Sequence, residues 1–436
     1  MFLFRRIQRN PPIEAYEESF QAPMPARTIS DYFPVSHDRR GLLSYTAGCV
    51  LALLVLTAVS PNALAEDWLK KWPLQVHGFA SQGFAISNRN NYLTMSTSRG
   101  AFDFTDGGVN VSVQVTDKLR VGAQAYVRNI GTLGGWRPIL DWAIVDYKVK
   151  DWLSLRGGKG KTVFGLYNDS QDMESLHTWA ILPQSVYALD LRSSSLAHLG
   201  GDIGGEIPMR EGLGGIAYTV YAGRRFDDRR GGYRDVAAQN GVLLNRVTGW
   251  MAGGDLRWNN LRPGLTVGAS YLVMPFEGVG KMKEYQLPVK FEVDSKTRVF
   301  YVDYLRGNLH LTGESIMGHG AAEVTGLPGV TKVDEPLTGW YASLSYRLSP
   351  HLELGGYHSR FISNTGQPWR DPDNHIYDQA ITARVDVNRH WSVKLEGHFI
   401  DGHGSVFSAR GFYRKQNPNG FEPKTNMFVL RTGYTF

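Results

Sequence analysis

Lys424-Thr-Asn-Met-Phe-Val-Leu-Arg-Thr-Gly-Tyr-Thr-Phe436 closes the sequence, and its reading decides the fold. Counted back in twos, Phe436, Tyr434, Thr432, Leu430 and Phe428 fall on one face. Thr435, Gly433, Arg431, Val429 and Met427 fall on the other. A period of two is the signature of a strand, whose successive side chains point to opposite faces. One face is aromatic and apolar; the other mixes small, polar and apolar residues with one arginine. A soluble sandwich has little reason to end a strand on an aromatic at the terminal carboxylate. A wall with lipid outside, water inside and aromatics at the interface does.

An aromatic-alternating last strand that ends in Phe resembles the assembly signal of Gram-negative outer-membrane barrels. The resemblance implies that Tyr434 and Phe436 are read by the barrel-assembly machinery and that outer-membrane lipid surrounds the protein. An ordinary amphipathic terminal strand is the competing reading of these few residues, so the rest of the chain has to decide.

Of 436 residues, 42% are hydrophobic, 20% charged and 12% aromatic, with 49 Gly. Much glycine and many aromatics with modest apolar content suit a barrel with a polar interior better than a helical core. After residue 65 no run of about eighteen apolar residues occurs, which excludes helical spans there. The single cysteine, Cys49, precedes that point, so residues 66–436 offer no disulfide, thiol nucleophile or thiolate metal site. Six Arg against five acids in residues 1–65 contribute +1 of the net +6, leaving +5 beyond. That mild surplus supports neither nucleic-acid binding nor anion selectivity.

Residues 1–65 read as a presequence and 66–436 as the barrel. Arg39-Arg40, the mostly apolar run Gly41 to Val59 and Ala63-Leu-Ala65 before Glu66 form a basic end, an apolar middle and a small-residue cleavage site. An uncleaved anchor is the alternative, because the run is nearly long enough to span. The polar segment ahead of Arg39 is long, and both Met1 and Met24 stand as starts. Arg39-Arg40 is not read as a twin-arginine signal, since that route carries folded cargo. Thr46-Ala-Gly-Cys49 is not read as a lipoprotein box, since the apolar run continues well past the cysteine.

From Gln75 onward amphipathic strands follow one another. Gly108–Val115 alternates cleanly, Thr116-Asp-Lys118 turns, and Leu119–Arg128 alternates again. Turns at Lys150-Asp151, Glu211-Gly212, Asn259-Asn260, Arg306–Asn308, Ser349-Pro350 and Asn388–His390 alternate with longer connections near 87–99, 131–138, 163–194, 226–245, 276–296, 318–336, 364–374 and 402–424. Short turns on one side and long loops on the other is the layout of a membrane barrel. The expectation is an all-β fold: a transmembrane antiparallel β-barrel of about sixteen strands with an inserted constriction loop. Gln286–Val293 alternates on its own, either as an extension of the next strand or as a separate hairpin, which keeps a count of eighteen open.

Parity assigns the faces. Val121, Ala123, Ala125 and Val127 form one outward row; so do Ala143, Val145, Tyr147 and Val149; Leu265, Val267, Ala269, Tyr271 and Val273; and Trp391, Val393, Leu395 and Phe399. The opposite parity holds Arg120, Gln124 and Arg128; Asp146 and Lys148; Asp202 and Glu206; Asp255 and Arg257; and Lys394, Glu396 and His398. So many charges need water rather than a packed core, and a lumen supplies it.

The longest connection, 163–194, mixes acids with Leu, Ile, Trp and Tyr and follows the fifth strand. In sixteen-stranded porins, which the chain resembles by topology, that loop folds inward and narrows the barrel. By sequence the likeness covers the last strand and Gly165–Asn168, the latter similar to the phosphate-selective porin branch. The resemblance implies a homotrimer. An inserted loop sets Asp169, Asp172 and Glu174 against basic wall residues, with Arg120, Arg128, Arg156 and Arg225 as candidates for a constriction. Signs on the wall are roughly balanced, so no strong selectivity is expected, and no lysine ladder for phosphate is evident.

Catalytic patterns do not form. Gly157-Gly-Lys-Gly-Lys-Thr162 lacks the first glycine of a phosphate loop, where Leu155 stands, and reads as a glycine-rich strand that lets the wall pack against the inserted loop. His398, Asp401 and His403 read as a strand end rather than a metal site, and there is no Gly-x-Ser-x-Gly elbow. No cofactor and no enzymatic activity are expected. The expected function is passive diffusion of small hydrophilic solutes or ions; the alternative is a barrel with an enzymatic or adhesive role carried on its loops.

Overall fold

The computed structural model describes residues 74–226, 228–326, 331–404 and 410–436. The expected presequence, its cleavage after Ala65, Cys49 and the choice between Met1 and Met24 lie outside the described residues. Alternating sequence becomes strand throughout. The first half runs β1 Leu74–Ser87, β2 Ala101–Thr116, β3 Leu119–Ile130, β4 Ile139–Lys150, β5 Leu153–Lys161, β6 Ala197–Pro208, β7 Gly215–Arg225 and β8 Val242–Arg262. The second half runs β9 Leu265–Val273, β10 Phe276–Met282, β11 Pro288–Arg306, β12 Leu309–Thr325, β13 Thr331–Ser349, β14 Leu352–Ile362, β15 His375–Asp386, β16 Trp391–Asp401 and β17 Lys424–Thr435. Two short helices, α1 Arg192–Ser195 and α2 Gly232–Gln239, lie in connections.

Neighbours pair antiparallel in chain order, and β17 pairs back on β1, from Phe79 against Thr435 to Ser87 against Met427. Backbone bonds between Gly78 and Phe436, at 3.1 and 3.0 Å, lock the seam at its lower end. β9 and β10 are two pieces of one stave. Both pair with β8 on one side and β11 on the other, and the break falls at Met274-Pro275, where proline cannot donate to the ladder. Seventeen segments therefore make sixteen staves, as expected. The alternation expected at Gln286–Val293 falls, from Pro288 on, in the start of β11, which settles against an eighteenth strand. β8 and β11–β13 run well past the expected ends, so this flank rises as a tall ribbon above the rest.

The face assignment holds. Phe428, Leu430, Tyr434 and Phe436 on β17 are 36–46% exposed, whereas Met427, Val429 and Arg431 are buried. Val121, Val145, Tyr147, Tyr271, Leu395 and Phe399 point outward, and Gln124, Arg128, Asp202, Asp255, Lys394, Glu396 and His398 point inward and are buried. An apolar outside around a charged inside suits a bilayer rather than water.

Gly78 has a specific job at the seam. A Cβ there would run into the ring of Phe436, which lies across it on the outer face. Gly78→Val should push that ring off and lower the temperature at which the barrel loses its compact mobility in detergent gels. Gly157→Ala, whose added carbon meets nothing within 4 Å, should leave it unchanged.

Candidate functional site

The connection after β5 turns inward and stays there. Phe164, Trp179, Ile181, Leu182, Val186 and Tyr187 are all buried. These side chains join two apolar clusters. One takes Ala180 and Ile181 against Phe104, Ile130, Phe361, Ile376, Ile400 and Val429. The other takes Phe164, Trp179, Leu182, Val186 and Tyr187 against Tyr221, Met251, Val299, Ile316, Tyr341 and Tyr357. Each such burial is worth about 1.5–3 kcal/mol, so the inward position has a clear driving force. The result reaches round the girth: Ala85, Phe104, Tyr221, Met251, Val299, Tyr341 and Val429 are all 2% exposed or less, and every stave contributes a buried inward residue.

A loop taken out of water must satisfy its backbone elsewhere. The inward charges of the wall do this. Glu396 accepts from the amides of Ala180 and Ile181, both at 3.0 Å. Arg431 donates to Ala180 O at 2.8 Å, Lys394 to Glu174 O and Trp179 O at 2.6 and 3.1 Å, and Arg384 to His177 O at 2.8 Å. Across the lumen Glu314 accepts from Leu166 N and the Tyr187 hydroxyl at 3.1 and 2.6 Å, and Arg128 donates to Leu189 O at 3.1 Å. The expectation of a wet charged face is corrected accordingly: much of that face is dry, and its charges hold the loop.

Asp172 and Glu174 sit on the loop against basic groups, but not the four arginines named from sequence. Asp172 meets Lys161 at 2.6 Å and Arg192 at 3.5 Å, and Gln124 donates to it at 2.7 Å. Burial alone would lift its carboxyl; Arg192, Lys161 and Gln124 hold it below the usual range. Glu174 meets Lys394 at 2.5 Å, and again burial is outweighed, by Lys394 and then Arg431. Asp169 is half-buried on the loop, and burial pushes its carboxyl up against the opposing charge of Arg257. Arg120 donates to Ser112, Arg128 lies 3.6 Å from Asp228, Arg156 bridges Asp146 and Asp202, and Arg225 donates to Ser194 O. Arg128 and Arg225 thus touch the loop through carbonyls rather than acids.

Lys161, Arg192, Lys394 and Arg431 are the cations that sequence reasoning left out of the constriction. A signal was present: Lys394, Glu396 and His398 form an unbroken charged row on one inward face, and a row of that kind has to be met by something. His398 is held by Asp378 and Glu396 at 2.9 and 3.0 Å, and among the described residues no group of three or more potential ligands could hold a metal. The glycines of β5 do not pack against the loop as expected. Gly160 faces Asp202 and His198 of the wall, and Gly158, at φ +122°, lies against the backbone of β4.

The geometry defines a closed sixteen-stranded antiparallel barrel that spans a bilayer and carries one loop folded into its lumen. No family model matches the sequence. No curated protein matches it either. Among solved structures, the outer-membrane expressed OmpT of Vibrio cholerae aligns with a TM-score of 0.52 at 11% identity, covering 83% of this chain and 97% of that one. OmpF of Salmonella typhi, in complex with daunomycin, gives the same TM-score, identity and coverage. The trimer form of the Vibrio cholerae OmpT gives 0.50 at 11% identity, covering 83% and 99%. At this identity the likeness concerns the fold, and the fold is that of the sixteen-stranded outer-membrane porins.

Two outcomes follow for the loop. Lys394→Met strands Glu174 as a buried lone charge and should destabilise the docked loop by about 3–5 kcal/mol, whereas adding Glu174→Gln should recover most of that loss. Denaturant unfolding of the four proteins of this cycle in detergent measures it. Asp190, bonded by Tyr413 and Gly411, is pushed up to about 6 by burial despite Tyr413 and Arg410. A released loop would titrate near the ordinary aspartate value of about 3.9, so the docked loop binds this proton more tightly. Docking is therefore favoured as pH falls through about 6 and loses that advantage above it. Protease cleavage within 163–194 should increase as pH rises through this window, and Asp190→Asn should flatten the dependence.

Proposed function

We propose that the protein is an outer-membrane channel for small hydrophilic solutes or ions, in which the loop at 163–194 sets what passes. The observation that carries the reading is that loop, seated in a sixteen-stranded barrel and held by charged groups from opposite walls. Opposed charges across a narrowing orient solutes and weight ion preference. Because the loop's contacts extend round the girth, passage depends on how far it shifts, and the resting conductance is small. The channel works without chemistry, as a homotrimer, and Tyr434 and Phe436 serve as its assembly signal.

Planar-bilayer recording on purified protein tests the reading. Wild type should give discrete steps, and removing residues 170–188 should give larger and steadier ones. A folded barrel that stays silent in both forms would reject the channel and return attention to a surface role on the loops. Replacing Asp169, Asp172 and Glu174 by their amides removes Glu174 from Lys394 and leaves Lys161 and Arg192 with Asp141 alone, and should move reversal potentials toward anion preference. An unchanged potential would place these acids away from the ion path. Deleting Phe436 should leave the chain unassembled in the periplasm.

A further inference from the structure

A cleft of about 410 Å³ opens on the long-loop end of the barrel, where β4 and β6 begin and β5 and β7 end. Lys159 pairs with Ala143 of the outward row of β4, and a register shift sets Leu140 opposite Ala125 of the outward row of β3, so these two face the lipid side of the wall. Directly below on the same face lie Leu155, Leu199, Ile203 and Val220, all largely exposed. The cleft therefore sits where the apolar belt gives way to the aqueous loops, at the height of lipid headgroups.

Its floor is apolar, with Ile139, Leu140, Leu196 and Phe226, and its rim is basic, with Arg137, Lys159 and Arg229. Arg192 and two acids, Asp141 and Asp228, complete its charged lining, and both acids are engaged. Asp141 is held by Arg192 at 3.2 Å and Lys161 at 3.8 Å, and Asp228 by Arg128 at 3.6 Å. Lys159 is held in place over the ring of Phe226 at 4.1 Å while donating one hydrogen to Leu140 O at 2.5 Å. An ammonium has three donors, so two remain to be directed into the cleft. Register extends the basic row. Lys159 pairs with Leu199 and Leu199 with Arg224, which places Arg224 about 10 Å from Lys159 on the outer face, two strand spacings away.

On the tall flank three outward lysines are met by neighbouring acids: Lys290 by Glu277 and Glu292, Lys296 by Asp294, and Lys332 by Glu323. Among the described lining residues Arg137, Lys159, Arg192 and Arg229 outnumber Asp141 and Asp228, and a basic rim at headgroup height above an apolar floor complements one chemistry in particular. We propose that this cleft binds the phosphate-bearing headgroup of an outer-leaflet lipid, with the first carbons of its chain on Leu140 and Phe226. The proposal needs the barrel to sit in a bilayer but does not need it to conduct, so it stands or falls separately from the channel reading.

Native mass spectrometry of the detergent-purified protein tests it, with phosphatidylglycerol and phosphatidylcholine of equal chain length as probes. Wild type should retain phosphatidylglycerol in preference to phosphatidylcholine. The variant Arg137→Gln/Lys159→Gln/Arg229→Gln should lose about 100-fold in that retention at low salt, from three basic contacts. Lys290→Gln/Lys296→Gln/Lys332→Gln removes the same charge from the other flank and should keep it, and unchanged heat-modifiable mobility confirms that both variants fold. Equal retention of the two lipids, or equal loss in both variants, would overturn the site. Displacement of the lipid by millimolar inorganic phosphate alone would reassign the cleft to a soluble anion and overturn the lipid assignment. Loss of the lipid only when copies associate would give the face to a second copy of the chain and do the same.

Discussion

Backbone amides that face hydrocarbon have no water to turn to, and that single constraint shapes this chain. Each strand edge has to find another, so the last stave must meet the first. β17 does so over nine residue pairs, from Phe79 with Thr435 to Ser87 with Met427. Closure fixes the two faces: with no free edge and lipid outside, parity along every strand decides which side chains see acyl chains. A one-residue slip at the seam would turn Arg431 into the bilayer and Phe428 into the lumen. The tolerance at Gly78, where Phe436 lies across a missing side chain, lets the seam close without a step in its outer surface.

Closure then creates a second problem, on the inside. Sixteen staves enclose a space too wide for wall side chains alone to fill. The inward residues nevertheless include buried Lys394, Glu396, His398, Asp378 and Arg431, and charges of that kind are expensive to keep dry without partners. The loop after β5 answers both needs. Its apolar residues fill space, and its carbonyls and amides serve as partners for wall charges, as with Ala180 N and Ile181 N on Glu396. Loop and wall are thus each incomplete alone, which explains why the wall reads as too polar and the loop as too greasy when either is taken by itself.

What the sequence made legible follows from the range of the physics involved. Alternation at period two is local, so strand identity, parity and the alternating loop lengths could be read with little error, and the sixteen staves emerge close to their expected bounds. The ends of β8 and β11–β13 were harder. Above the lipid belt the outward positions become charged, as in Lys290, Glu292, Asp294 and Lys296, so the apolar contrast that marks a strand disappears while its hydrogen bonding continues. The pairing of the loop was not legible at all. Lys394 and Glu174 lie 220 positions apart, and no local rule links them. Sign balance on the wall could be counted, but which cation meets which acid is set by the shear of the barrel.

The division of labour among the charges bears on how the proposed channel would work. Asp172 and Glu174 are locked by short contacts to Lys161 and Lys394, so they define the loop's position more than they meet a solute. Burial works against the charged form of all three, and in Asp169 it outweighs the opposing charge of Arg257, which also donates to Gly165 O at 3.3 Å at the entrance to the loop. A solute that neutralises or displaces this partner acts where the loop leaves the wall, not at its packed middle. The β5 end is nevertheless packed as well: Phe164 shares a cluster with Trp179 and Tyr187, and Leu166 and Tyr167 lie against it, so freeing either end of the loop undoes apolar contact that the ion pairs then cannot hold in place alone.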